Sequence, residues 1–214
     1  MSRNKKILAA FLIIVFIGVF SYHYVIERFA VSSLTRTEGR NPAHQKILGS
    51  GNYVVGKGID QGYYDIQVIE GNLVVSGDEL EANNTLHAIP YWNNNKIWIT
   101  GKGKVEFSPS SFSRLKKEDD HYIISESGYY VVGSEIPSGK YQIILTDSTI
   151  PVDVFIDIKN NKNESYKSIQ WDKKKKAHSH ILYLKKGFQL YVDKKDEGNH
   201  QAEKVKIILK EIKS

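Results

Sequence analysis

The chain contains no cysteine, which excludes a disulfide framework, a zinc–thiolate site, a cysteine nucleophile and a lipid-modified N-terminal cysteine. It also lacks the short signatures of local catalytic design. There is no Gly-x-Ser-x-Gly elbow, no His-Glu-x-x-His pair and no Asp-x-Asp-x-Asp-Gly loop. A Ser-His-Asp constellation, which assembles from distant positions, needs no such motif and stays open. Positive charge is outnumbered in the middle and in excess at the end. Residues 29–158 hold sixteen Asp/Glu against eleven Lys/Arg, whereas residues 159–214 hold fifteen Lys/Arg against seven Asp/Glu. The formal net charge of +6 therefore describes neither part.

The 214 residues are 41% hydrophobic and 25% charged, enough to bury a core in one large domain or two small ones. One long apolar run is present. Arg3, Lys5 and Lys6 precede an unbroken stretch from Ile7 to Phe20, and Tyr22, Tyr24 and Val25-Ile26 follow it. As a helix, the strict run spans only about 21 Å, while extension to Ile26 gives about 30 Å and matches a bilayer core. The tyrosines suit the headgroup region. The alternative is a signal peptide, but bulky Tyr22, His23 and Tyr24 leave no small-x-small cleavage site after the run. Residues 1–28 are thus expected to form a single-pass transmembrane anchor or a signal segment. In either case the basic N-terminus stays inside and the remainder lies outside the cytoplasm; a cleaved segment would leave the protein secreted.

The chain repeats itself at an offset of 77 residues. Gly51-Asn-Tyr-Val-Val-Gly-Lys-Gly-Ile-Asp-Gln-Gly-Tyr-Tyr-Asp-Ile-Gln-Val68 aligns with Gly128-Tyr-Tyr-Val-Val-Gly-Ser-Glu-Ile-Pro-Ser-Gly-Lys-Tyr-Gln-Ile-Ile-Leu145, identical at nine of 18 positions. The shared residues are Gly, Tyr, Val and Ile, which are structural types. Alternation of Tyr53 with Val55, and of Tyr64 with Ile66 and Val68, predicts two strands per copy. Pro137-Ser138-Gly139 supplies turn chemistry between them, so the motif reads as a β-hairpin. Further strand patterns follow each copy, separated by Ser76-Gly77-Asp78, Asn93-Asn94-Asn95, Gly101-Lys102-Gly103, Asn160–Asn163 and Lys185-Lys186-Gly187. The stretch Glu203–Lys213 reads as a strand, although Ile208 and Ile212 also permit a helical stripe.

The expected fold is all-β, with two tandem β-sandwich or jelly-roll-like units after an N-terminal transmembrane helix. The first unit would cover residues 49–113 and the second 127–214, with linkers at 29–48 and 114–126. A unit of the first one's size is marginal alone, so the two are expected to pack together.

The Tyr-x-Val-Gly-x-x-Ile-Pro-x-Gly-x-Tyr pattern at 130–141 resembles tandem all-β modules of exported and surface proteins of Gram-positive bacteria. The resemblance implies an exported β-domain and transfers no catalytic residue. The first copy departs from the pattern, with Asp60-Gln61 in place of Pro-Ser.

Three groups of residues invite a functional reading. Lys173, Lys174, Lys175 and Lys176, with Lys185 and Lys186, form a basic end, either a solvated loop tip or a contact for an anionic envelope polymer, headgroups or an acidic protein. Lysine in place of arginine argues against geometry-specific phosphate recognition, and nucleic acid is not an expected partner outside the cell. Trp92, Trp98 and Trp171 either cap a sandwich core or stack on sugar rings. His178 and His180 share a strand face without an evident third metal ligand. Gly56–Gly62 mimics a nucleotide loop but leads into a strand, so no helix N-terminus awaits a phosphate. His87 and His121 stand isolated in sequence. No cofactor or metal is expected, and the leading expectation is a non-enzymatic binding or assembly role at the cell envelope. The alternative is a carbohydrate-binding or glycan-hydrolysing surface domain.

Overall fold

The structure is a computed structural model, which describes residues 41–146, 152–171, 179–195 and 202–212. The apolar run at Ile7–Phe20 lies outside the described residues. Among these residues no helix is long and apolar enough to cross a membrane.

The fold is all-β. The first half holds β1 (Lys46–Leu48), β2 (Gly51–Val55), β3 (Gly58–Ile59), β4 (Gly62–Val75), β5 (Asp78–Glu81), β6 (Thr85–Tyr91) and β7 (Lys96–Pro109). The second holds β8 (Lys117–Glu118), β9 (His121–Ile124), β10 (Ser127–Val131), β11 (Gly139–Leu145), β12 (Asp153–Lys159), β13 (Ser165–Trp171), β14 (His180–Leu184), β15 (Gln189–Lys195) and β16 (Ile207–Glu211). A 3-10 turn, Ala202–Lys204, precedes the last strand.

The strands form two sheets. The larger has 11 strands and runs β13-β12-β15-β10-β6-β4-β7-β2-β3, with β1 on β7 and β5 on β4. The smaller has five, in the order β14-β11-β16-β9-β8.

The sequence repeat is a repeat of pairing register. Tyr53 lies opposite Ile97 in β7, as Tyr130 lies opposite Leu190 in β15. Tyr64 faces Ile89 on β6, and Tyr141 faces Leu182 on β14. On their other sides, Ile66 faces Phe107 and Ile143 faces Leu209. Backbone bonds outside the ladders match as well: Gly56 N donates to Ile59 O at 2.7 Å, and Gly133 N to Ile136 O at 2.6 Å.

The repeated tyrosines have a common reason to be tyrosine. The Tyr53, Tyr64, Tyr130 and Tyr141 hydroxyls each donate to the carbonyl four residues upstream, on Gly49, Asp60, Glu126 and Pro137, at 2.7–3.0 Å. A buried ring with its hydroxyl satisfied by a nearby loop carbonyl fixes the loop to the strand without an unpaired polar atom.

The repeated motif is not a hairpin. β2 pairs with β3 and β7, and β4 with β5, β6 and β7, so β7 separates the two strands expected to pair. The hook closed by Gly56, at φ 88°, turns the chain across to a new position. Nor is Gly101-Lys102-Gly103 a turn, because β7 passes straight through it. Here β4 and β7 cross closely: a Cβ on Gly71 would lie 2.1 Å from Lys102 O, and one on Gly103 1.9 Å from Glu70 O. Only glycine lets two strands approach so nearly.

Two stretches expected to be linkers contribute structure. β1 falls within 29–48, and β8 and β9 within 114–126. Asn41 accepts from Tyr63 N and donates to the Tyr63 and Ser110 carbonyls, while Ala43 is buried. The residues at 203–213 divide: the 3-10 turn comes first, then strand β16.

Burial follows the alternation. One core gathers Val55, Ile59, Tyr64, Ile66, Val68, Ile97, Ile99, Val105 and Phe107. The other gathers Tyr130, Ile136, Tyr141, Ile143, Ile156, Ile158, Leu190, Val192 and Leu209. Each such side chain contributes about 1.5–3 kcal/mol on burial. The halves meet where β10 joins β6 in parallel, Ser127 opposite Leu86 and Gly128 opposite His87. A Cβ on Gly128 would sit 2.0 Å from His87 O, so the join requires glycine there.

Candidate functional site

The join places three ionisable side chains in line. Opposite Asp65 the pairing of β4 with β6 is irregular, and the two residues His87 and Ala88 occupy one position. Ala88 takes φ 50°. Such a bulge re-aims a side chain, and here it directs His87 between carboxylates from both halves.

His87 Nδ1 lies 3.0 Å from Asp65 Oδ1, and Nε2 lies 2.6 Å from Glu135 Oε1. Glu135 is fully buried, and its second oxygen accepts from Val131 N at 2.8 Å. Asp65 Oδ1 also accepts from Ala88 N at 2.9 Å. The Tyr130 ring stacks on the imidazole, with centroids 4.6 Å apart. Burial by itself would depress the imidazolium, but the hydrogen bonds and charges of Asp65 and Glu135 overcome it and raise His87 to about 9. Burial would raise Asp65, yet the bond and charge from His87 and the Ala88 amide hold it below the usual carboxylate range.

At neutral pH the arrangement is a carboxylate–imidazolium–carboxylate bridge. With His87 raised to about 9, both ring nitrogens donate at neutral pH, each to a carboxyl oxygen, and no nucleophile among the described residues is bonded to the ring. It ties β4 and β6 of one half to the turn after β10 of the other.

Beside the bridge, a cleft of about 1000 Å3 opens between the halves. Asp78, Glu79, Glu81, Glu126, Asp193 and Glu203 line it, with Lys194 and Lys195. Burial pushes the Glu126 carboxyl up, and burial followed by the Asp193 charge does the same to Asp78. Burial also pulls Lys194 down to about 8, opposed by the charges of Glu126 and Glu203. Its ammonium donates to the Ser125 and Val205 carbonyls. Asn84 Nδ2 donates across the junction to Glu203 Oε2 at 3.4 Å.

The residues singled out from the sequence fall elsewhere. Lys185 and Lys186 are exposed on the turn between β14 and β15, while Lys173, Lys174, Lys175 and Lys176 lie outside the described residues. Trp98 is 46% exposed on β7. Trp92 is half-buried, edge-on to Tyr63 at 5.5 Å. Trp171 is buried in the second core, edge-on to His180 at 5.1 Å. With Trp171 inside, the three tryptophans do not form one aromatic surface. His178 lies outside the described residues. Among the described residues no group of three or more His, Asp or Glu side chains is placed to hold a metal ion.

His87 stands isolated in sequence, with no local pattern that links it to Asp65 or Glu135. One signal pointed to its partner: at the repeat position where the first copy has Gly58, the second has Glu135, a charge within an otherwise structural motif. No family model, curated protein or solved structure matches the chain.

Proposed function

We propose that the chain is a single-pass, N-terminally anchored envelope protein. It displays two tandem β-sandwich units outside the cytoplasm and works by binding or assembly, not catalysis. The observation that carries the non-enzymatic part is the closure of His87, whose two nitrogens are both engaged by carboxylates. The basic cluster and apolar run at the N-terminus support the anchoring, as does the resemblance of residues 130–141 to exported β modules. The repeated registers support the tandem reading.

The partner class is an anionic envelope polymer or an acidic protein, met by the lysine-rich end. Lys185 and Lys186 are exposed, and Lys173–Lys176 add four more charges to the same half. A soluble polyphosphate chain, titrated against the whole protein in neutral detergent, tests this. Replacing all six lysines by Ser should abolish binding, and added salt should weaken it. Equal affinity for both proteins would overturn the contact. The exposure of Trp98 favours carbohydrate contact as a second reading. Such binding would persist in salt and disappear in Trp98→Ala.

A further inference from the structure

We propose that the chain associates head to tail with further copies of itself, the open edge of β14 on one copy receiving β2 of the next as β6 receives β10 within the chain. The proposal rests on the tandem reading of the two halves and is independent of where the protein resides.

The internal join supplies the template. β10 presents Ser127-Gly128 to Leu86 and His87 of β6. The repeat places Ser50-Gly51 at the same positions of the first copy. β2 pairs with β7 along one side, and on the other meets only β3, at Val54 and Val55. Gly51 pairs with Ile99 of β7; on the side away from β7 no strand among the described residues faces it, and the nearest atoms to a Cβ there would be those of the Tyr53 ring.

The other end of the chain offers the matching edge. Leu86 and His180 face equivalent residues, Ile66 and Ile143, so β14 is the counterpart of β6. β14 pairs with β11 and is the last strand of its sheet. Along Ile181–Leu184 no strand among the described residues takes its second side. Ile181 and Tyr183 are 58% and 53% exposed. A sheet edge carrying two large exposed apolar side chains is an association site unless something covers it.

The side chains at the two positions are complementary. In register, Gly51 would meet Ile181 as Gly128 meets His87. Gly58 stands where Glu135 stands, and a Cβ on Gly58 would touch nothing within 4 Å. An apolar side chain facing an open glycine thus replaces the ionic bridge. Charge favours the same pairing. Residues 49–113 hold seven Asp/Glu against four Lys/Arg, and residues 127–214 hold sixteen Lys/Arg against eleven Asp/Glu. Head-to-tail contact brings unlike ends together, whereas a symmetric β14–β14 pairing would join like ends. Contacts of this kind propagate into a ring or filament.

The absence of native cysteine makes the test clean. The whole chain carrying both Ser50→Cys and Ile181→Cys, treated with a short bismaleimide in neutral detergent, should give a ladder of dimers, trimers and larger species. Each single variant alone should give no cross-linked species, and an equal mixture of the two should give cross-linked dimers holding one of each. In the cysteine-free chain, Ile181→Asp should weaken self-association, read by sedimentation, at least about tenfold. A double variant that gives no cross-linked species, an Ile181→Cys protein that cross-links to itself, or an Ile181→Asp chain that associates unchanged would each overturn the proposal. Asn84→Cys with Glu203→Cys is the internal control. If it cross-links within one chain while no ladder forms, the array is refuted; if it too fails, the tandem join itself is wrong.

Discussion

Glu135→Gln keeps the shape of a fully buried side chain and removes its charge, leaving His87 with one carboxylate. Two routes set the magnitude. Holding the imidazolium proton to about pH 9 against an ordinary 6.5 corresponds to about 3 kcal/mol in favour of the folded state. Removing one partner of a buried ion pair typically costs about 3–5 kcal/mol. The sign with pH follows from the direction of the shift. Because folding raises His87, its contribution is full below pH 6.5 and is lost as pH climbs through about 9. Asp65, lowered by the same contacts, contributes above its unfolded value and is lost in acid. Urea unfolding of residues 36–214, a separate compact unit, followed by tryptophan fluorescence, measures both effects. Glu135→Gln should lose about 3 kcal/mol at pH 6, and the gap to the parent should shrink between pH 7 and 10. A loss below about 1 kcal/mol at pH 6, or a gap constant across that range, would refute the reasoning.

Three further outcomes follow from the fold. Gly128→Ala, whose Cβ would press on His87 O, should destabilise the chain by more than about 3 kcal/mol. Gly51→Ala, whose Cβ would press on the Tyr53 ring at 3.1–3.3 Å and not on a carbonyl at 2.0 Å, should cost about 1 kcal/mol in the same denaturation, well below Gly128→Ala. Tyr64→Phe and Tyr141→Phe each remove one hydroxyl bond to a loop carbonyl and should each cost about 1 kcal/mol, nearly equal because the two sites are equivalent. Trp171→Ala, in the second core, should cost about 3–5 kcal/mol, and Trp98→Ala, 46% exposed, about 1 kcal/mol or less.

The strands were legible wherever alternation was strong. Tyr64, Ile66 and Val68, and Tyr141 and Ile143, are buried as their spacing predicts. Pairing was less legible, because strand partners are chosen by contacts far apart in sequence. Nothing local to residues 51–68 indicates that β7 separates β2 from β4. The Gly101-Lys102-Gly103 segment misleads for a related reason: its glycines serve a close crossing, and glycine signals permissive backbone without saying whether the chain reverses. Residues 114–126 read as a linker because β8, two residues long and exposed, carries no alternation. The bridge was hidden by distance. Glu135 lies 48 residues from His87, and only the bulge in β6, invisible in the residues themselves, turns the imidazole toward it. The departure of Glu135 from the repeat was the one visible trace.

The central claim, a duplicated β scaffold held outside the cytoplasm by its leading segment, has a direct measurement. With no native cysteine, Lys186→Cys provides one exposed thiol on the turn between β14 and β15. Intact cells expressing this variant are treated with a membrane-impermeant maleimide. The account predicts labelling equal to that in lysed cells; a thiol that reacts only after lysis would contradict it.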